Sequence, residues 1–271
     1  MKFDFKIMKF EFESIGFVRS SHRYPQEAPR QGTLTGERGE IELLPGRNFE
    51  TALADLEGVE RIWIIFVFDR VNSWKVKVSP PQRGDRKKIG VFATRSPHRP
   101  NPIGITCAKL EGIRGRILEV SEIDLLSGTP VLDIKPYIPL ADSFPEAKTG
   151  WRDEVPDQLR EVVFSEESAE KTAFIFKEGG PDVAEFCRVQ LGTRDIDPKR
   201  LRLSNPDDRG IFTLAFRTWR ILFSRDGENI LIRTVFSGYT KEELSPETPD
   251  PYADKELHRR FNAFFNAVKQ A

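Results

Sequence analysis

With 271 residues, 38% of them hydrophobic, and 42 basic side chains set against 42 acidic ones, the chain can hold two domains with separate cores. Zero net charge excludes a uniformly basic nucleic-acid binder, and the longest apolar run, residues 62–68, is too short to cross a bilayer. Two distant cysteines, Cys107 and Cys187, give no disulfide framework and no zinc spacing and read as reduced core thiols; no metal or membrane partner is expected. The opening Met-Lys-Phe-Asp-Phe-Lys lacks a secretory apolar region, which predicts a cytoplasmic address.

In chain order, residues 1–10 alternate weakly as an extra strand or a frayed tail, and 14–20 read as a strand. A loop containing Ala-Pro-Arg-Gln-Gly (28–32) leads to a second strand at 39–44. Asn48 can cap a short helix over 49–56 that Gly58 ends. Residues 61–68 are apolar on both faces, which predicts a central strand ending in Asp69-Arg70. Residues 74–78 alternate as a strand, 79–88 form a basic loop, and Val91, Phe92 and Ala93 form a short apolar strand. Pro97, Pro100 and Pro102 then fix a rigid loop that holds Arg95, Arg99 and Asn101 at low entropy cost. Two strands, 105–110 and 116–123, are joined by a turn at 112–115. A Gly-Thr-Pro turn follows, then a strand whose alternation puts Val131, Asp133 and Lys135 on one face.

About eight short strands with regular turns and one short helix predict an antiparallel barrel, and no Gly-x-Gly-x-x-Gly follows a strand to suggest a Rossmann unit. Residues 151–161 read as a linker. Beyond it the pattern becomes a small α+β domain. Ser165 caps a helix to Lys177, Pro181 begins another that ends near Gly192, and 211–223 and 229–236 are long strands around an Asp226-Gly227 hairpin signal. A final helix presents Leu257, Phe261, Phe264, Phe265 and Val268 as one apolar face. The fold expected is therefore mainly β, a barrel domain over 12–155 followed by an α+β domain over 162–271.

Between residues 70 and 116 stand twelve Lys or Arg and two acids, a local positive excess on the proline-rich motif stretch. Such a region attracts phosphates, and a solvated basic face is the plainer alternative.

The run Ala-Thr-Arg-Ser-Pro…Arg-Pro-Asn-Pro-Ile-Gly (93–104), with Gly-Thr-Pro…Asp-Ile-Lys-Pro-Tyr downstream (128–137), closely resembles the TsaA-like (TrmO) family, over about residues 12–151. The resemblance implies a β-barrel methyltransferase that uses S-adenosylmethionine to methylate N6 of threonylcarbamoyl-adenosine beside the tRNA anticodon. It also implies a homodimer with the site near the interface and a C-terminal domain that helps hold tRNA. Carried over by motif, Pro29, Arg30, Gln31, Asp69, Arg70, Arg95, Ile105, Leu126, Ser127, Gly128, Thr129 and Pro130 are candidate donor contacts. Arg99 and Asn101, with Asp197 and Lys199 of the C-terminal domain, are candidate tRNA contacts, and Asp133, Lys135 and Tyr137 are candidate catalytic groups.

Three positions depart from the family pattern: Asp69, where a His is common; Ser127, where many relatives have Asp; and 197–200, where the motif is partial. Arg30 or Arg95 can pair with the donor carboxylate, and Asp69 can bind ribose hydroxyls. Asp133 and Lys135 can assist proton loss or form a buried structural pair, and Arg99 and Asn101 can orient substrate or brace the loop. His98 reads as a packing side chain. Against the enzyme stand two alternatives, a non-catalytic RNA- or adenosyl-binding module and methyl transfer to another acceptor.

Overall fold

The computed structural model describes residues 7–29, 32, 36–80, 87–155, 160–192, 201 and 203–268, without the side chains of 267 and 268. The strand Arg61–Val67 sets the architecture. Ile62, Ile64 and Phe66 point inward and are buried, while Arg61, Trp63, Ile65 and Val67 lie on the other, half-buried face. Numbering in chain order, the first unit contains β1 (Gly16–Ser20), β2 (Arg38–Leu43), α1 (Phe49–Ala52), β3 (Arg61–Val67), β4 (Lys77–Val78), β5 (Ile89–Gly90), β6 (Ile103–Arg114), β7 (Ile117–Ser121), β8 (Pro130–Pro136) and α2 (Pro139–Asp142). Six of these strands close an antiparallel barrel in the order β1-β2-β7-β6-β3-β8. As expected, β3 is central, paired with both β6 and β8.

The barrel core is filled from alternate positions, with Val18, Ile41, Ile62, Ile64, Leu118 and Val131 essentially inaccessible. Gly104 lies opposite Phe66 in the β3–β6 ladder, and a Cβ there would come within 2.2–2.7 Å of three ring atoms of Phe66. The glycine of the Asn-Pro-Ile-Gly motif is thus required by packing, since the Phe66 ring lies across it.

Several expectations are corrected. The β3–β8 ladder shifts register between Ile65 and Phe66, so Asp133 pairs with Ile65 but Val131 with Phe66. This bulge reverses the alternation: Val131 is buried in the core, Ile134 packs against it, and Asp133 and Lys135 lie on the opposite, outer face. Residues 91–93 form a 3₁₀ turn instead of a strand, because the Val91 carbonyl accepts from the Thr94 hydroxyl (2.8 Å) and from the Thr94 amide. Only Lys77–Val78 of the 74–78 segment is strand, paired with β5 in a two-stranded ribbon. The helix over 49–56 shortens to α1; Asn48 makes no side-chain bond to its backbone and takes a left-handed φ of 56°. Cys107 is only partly buried on the outer barrel face, whereas Cys187 is inaccessible and burial pushes its thiol far up.

The second unit contains β9 (Val162–Phe164), α3 (Glu166–Lys177), α4 (Val183–Leu191), β10 (Ile211–Phe216), β11 (Trp219–Asp226), β12 (Asn229–Ser237) and α5 (Lys255–Val268). Its sheet runs β10-β11-β12-β9, and β9, a strand that local sequence pattern does not announce, joins parallel to β12. The expected strand 211–223 is broken at Arg217, whose φ of 51° turns the chain back as a tight hairpin. Ser165 caps α3 through Ser168, and Asp182, one residue after Pro181, caps α4 through Glu185. On α5, Leu257, Phe261 and Phe265 join the core, but Phe264 turns aside to half exposure against the Phe174 ring at 5.1 Å. By contacts the chain divides into two compact units, one with residues up to Val78 and Lys88–Ala147, the other with Lys148–Ala271.

Candidate active site

Two segments at one end of the barrel are laced together. Where β1 ends, Ser20 donates its hydroxyl to the Leu125 carbonyl (2.8 Å), the Ser127 amide donates to the His22 carbonyl (2.8 Å), and the Gly128 amide donates to the Val18 carbonyl (2.8 Å). The turn itself closes through the Thr129 amide on the Leu126 carbonyl at 3.1 Å, and Thr129 is buried. Leu126, Ser127, Gly128 and Pro130 remain partly or fully open at its surface.

Arg70 locks this arrangement. Its guanidinium donates to the Arg23 carbonyl at 2.8 Å and to the Ser127 carbonyl at 2.6 Å, while Asp69 stands 4.0 Å away. Arg70 therefore spans both segments at once, a bidentate use of the planar fork that Lys cannot reproduce. Glu27 organises the same stretch from below: buried, it accepts from the Arg23 amide at 2.7 Å.

Gly32, just after the Pro-Arg-Gln motif, approaches the exit of β7. Pro29 is buried, Arg30 and Gln31 lie outside the described residues, and Gly32 sits hard against Glu122, where a Cβ would be 1.8 Å from the carbonyl oxygen. Asp197 and Lys199 also lie outside the described residues.

The proline-rich loop is braced from within. Arg99 donates to the Thr94 carbonyl at 2.8 Å and places its guanidinium 5.7 Å from the Phe92 ring, so it braces the loop. His98 Nδ1 lies 3.1 Å from the Ser73 carbonyl oxygen, within hydrogen-bond distance. Arg95 and Asn101 are exposed.

On the outer face of β8, Lys135 Nζ lies 2.8 Å from an Asp133 carboxylate oxygen, with the side chains 60% and 47% exposed. The alternative of a buried structural pair gives way to an exposed one. Tyr137 packs at 5.6 Å on the Trp63 ring, and the Trp63 indole donates to Asp142 at 2.9 Å. The Ile138 amide and that indole bond hold the Asp142 carboxyl below the usual range. Ile105 is exposed on the same face, opposite Ile65.

Two polar groups that sequence reasoning missed stand behind the turn. His22 is 8% exposed and its Nδ1 has no hydrogen-bond partner; the same holds for Asp124 Oδ1. Burial raises the Asp124 carboxyl, opposed by a hydrogen bond from Thr106 and by the nearby His22 and Arg95. A His in a polar loop and an Asp before a Gly-Thr-Pro turn carry no signal of burial in a sequence. Among the described residues no three His, Cys, Asp or Glu side chains gather as a metal site.

The model of the tRNA-methyltransferase O N-terminal domain matches residues 17–143. The tRNA (adenine(37)-N6)-methyltransferase of Escherichia coli K12 is 37% identical over 189 residues, 67% of this chain and 80% of that protein. A probable S-adenosyl-L-methionine-binding protein of Archaeoglobus fulgidus is 42% identical over 57% of this chain and 41% of its own. The crystal structure of TrmO from Pseudomonas aeruginosa superposes with a TM-score of 0.64 at 31% identity, covering 85% of this chain and 99% of that one. The chain belongs to the tRNA-methyltransferase O family.

Proposed function

We propose that the chain is an S-adenosylmethionine-dependent methyltransferase that methylates N6 of the adenosine at position 37 of tRNA, in its threonylcarbamoyl form. The observation that supports this reading is the Arg70 clasp on the carbonyls of residues 23 and 127, which ties the Asp69-Arg70 motif to the Gly-Thr-Pro turn. The residues present fit the donor: buried polar atoms of His22 and Asp124 lie behind that turn, and Asp69 and Arg95 are exposed.

When bound, S-adenosylmethionine supplies an electrophilic methyl group on a positively charged sulfur. Arg95 pairs with the donor carboxylate, Asp69 accepts from ribose hydroxyls, and the backbone of residues 126–129 meets the base. The acceptor nitrogen is conjugated to purine and carbonyl and is not basic. On accepting the methyl group from the donor, which would leave as a neutral thioether, that nitrogen would have to give up its proton. Asp133 is the acceptor for that proton, and Lys135 Nζ at 2.8 Å positions its carboxylate. Tyr137, fixed on Trp63, orients the acceptor. Alignment of donor and acceptor would supply much of the acceleration.

The outer face bearing Asp133 also exposes Ile103, Ile105 and Ile138, an apolar strip that supports pairing of two copies around the site. The domain over 162–271, which follows the barrel domain over 12–155, is the aid to tRNA holding. The test is incubation with the methyl donor and tRNA, with and without the threonylcarbamoyl group, followed by nucleoside mass analysis. Methylation of the threonylcarbamoyl tRNA alone is expected. Methylation elsewhere would indicate another acceptor, and donor binding without transfer would indicate a non-catalytic module.

A further inference from the structure

We infer that Asp142 is a positioning residue for the acceptor side of the reaction, acting through the Trp63 indole to set the Tyr137 ring. The inference rests on the methyl-transfer reading above and adds to it a residue that touches neither donor nor acceptor.

A single carboxylate oxygen ties two constraints together. Asp142 Oδ2 accepts from the Ile138 amide at 2.9 Å and from the Trp63 indole N–H at 2.9 Å. Ile138 follows Tyr137 in the chain, and Trp63 carries the ring on which Tyr137 packs, with centroids 5.6 Å apart. The Tyr137 amide in turn donates to the Arg61 carbonyl at 2.9 Å. Tyr137 is thus held through its own amide, through the next amide and through its ring, and the last two of these meet at Asp142. The β3–β8 ladder puts the same indole beside the other acceptor-side groups. Trp63 lies opposite Lys135, and Ile65, on the same outer face, lies opposite Asp133.

Folding gains little from this fastening. None of the four residues of α2 is buried, Asp142 is exposed, and a hydrogen bond made in the open replaces one to water at small net gain. What the carboxylate fixes is a direction. A Trp ring has one N–H, and a set acceptor for it removes the freedom of the ring to turn about χ2. The same two bonds hold the Asp142 carboxyl below the usual range, so it is an acceptor-only group at neutral pH. Methyl transfer in line to a nitrogen is sensitive to such placement, a misplacement of about 1 Å costing up to about 100-fold.

The test is steady-state methyl transfer to threonylcarbamoyl tRNA by the intact chain, with donor affinity measured separately by calorimetry. Asp142→Ala removes both bonds and is expected to lower kcat about tenfold, with donor affinity and the KM for tRNA unchanged. Asp142→Asn keeps an oxygen that accepts from both N–H groups and is expected to restore most of kcat. Trp63→Phe keeps a ring beside Tyr137 but has no N–H, and is expected to lower kcat; adding Asp142→Ala to it should cost less than the same change in the wild-type chain, because the two residues share one bond. An Asp142→Ala protein that melts at a lower temperature yet turns over at the wild-type kcat would overturn the inference and leave Asp142 a structural brace. A fall in donor affinity matching the fall in kcat would overturn it as well, as would fully additive losses in the double variant. The indole bond is cut from either side by separate variants, so failure of one to fold leaves the other to decide. Absence of transfer by the wild-type chain would overturn the methyl-transfer reading itself and this inference with it.

Discussion

His258 gives the second unit a pH dependence that can be worked out from its surroundings. It is inaccessible to solvent on α5, stacked on Trp219 with centroids 3.8 Å apart. Both ring nitrogens are engaged, Nε2 with the Thr218 hydroxyl at 2.9 Å and Nδ1 with the Ser237 hydroxyl at 2.8 Å. Burial pushes its pKa down to about 4, with Arg220 adding to the effect and Asp254 and Asp250 opposing it. The unfolded chain, with a His pKa of about 6.5, binds the proton more readily than the folded one, so stability is full above that pH and lost as pH falls toward 4. Each tenfold difference in proton affinity between the two states is worth about 1.4 kcal/mol. The loss between pH 7.5 and pH 5 is therefore about 2 kcal/mol, and about 3 kcal/mol by pH 4. The assay is pulsed hydrogen exchange along a urea series, read on peptides spanning β11 and β12 at pH 7.5 and pH 5, which isolates this unit from the barrel. In His258→Gln the difference between the two pH values should shrink by about 2 kcal/mol. An unchanged difference in the variant would refute the reasoning, because other groups titrate alike in both proteins.

Gly104→Ala forces a Cβ into the Phe66 ring and is expected to destabilise the barrel by about 1–3 kcal/mol, seen as a lowered melting temperature of the first unit. Arg70→Met removes two charge-assisted bonds on a partly exposed side chain; donor affinity by calorimetry should fall about tenfold, and Arg70→Lys should recover little of it. Asp133→Asn should lower kcat by about 10²–10³-fold with donor affinity unchanged, the separation expected of a group that handles the acceptor's proton. Arg99→Ala should loosen the proline-rich loop, read as faster amide exchange at Thr94 and Ser96, because its bonds run to the carbonyls of Val91 and Thr94.

The parts of the fold carried by local periodicity were legible. The strand over 61–67, the cap at Ser165 and the Asp226-Gly227 hairpin depend on near neighbours in sequence, and each has its counterpart in the structure. What depended on pairing between distant strands was not. The face shared by Asp133 and Lys135 was foreseen, but Val131 leaves it because the bulge opposite Ile65 is set by the partner strand. Phe264 was assigned to the core face by helical spacing, yet the Phe174 ring draws it to the margin. Arg70 and Arg99 could be named from their motifs, but that both spend their donors on backbone carbonyls emerges only when the loops are folded. His22 shows the limit most clearly, since a single histidine among Ser, Arg and Tyr reads as solvated until the 125–129 segment closes over it.

A donor whose transferable methyl carries deuterium, given with tRNA bearing threonylcarbamoyl-adenosine at position 37, puts reaction and acceptor to the test together when the digested fragments are sequenced by mass. The labelled methyl is expected on N6 of that one nucleoside in the wild-type reaction, and its loss is expected with Asp133→Asn despite retained donor binding. Label on any other nucleoside would contradict the assigned acceptor, and undiminished transfer by the variant would contradict the role of Asp133.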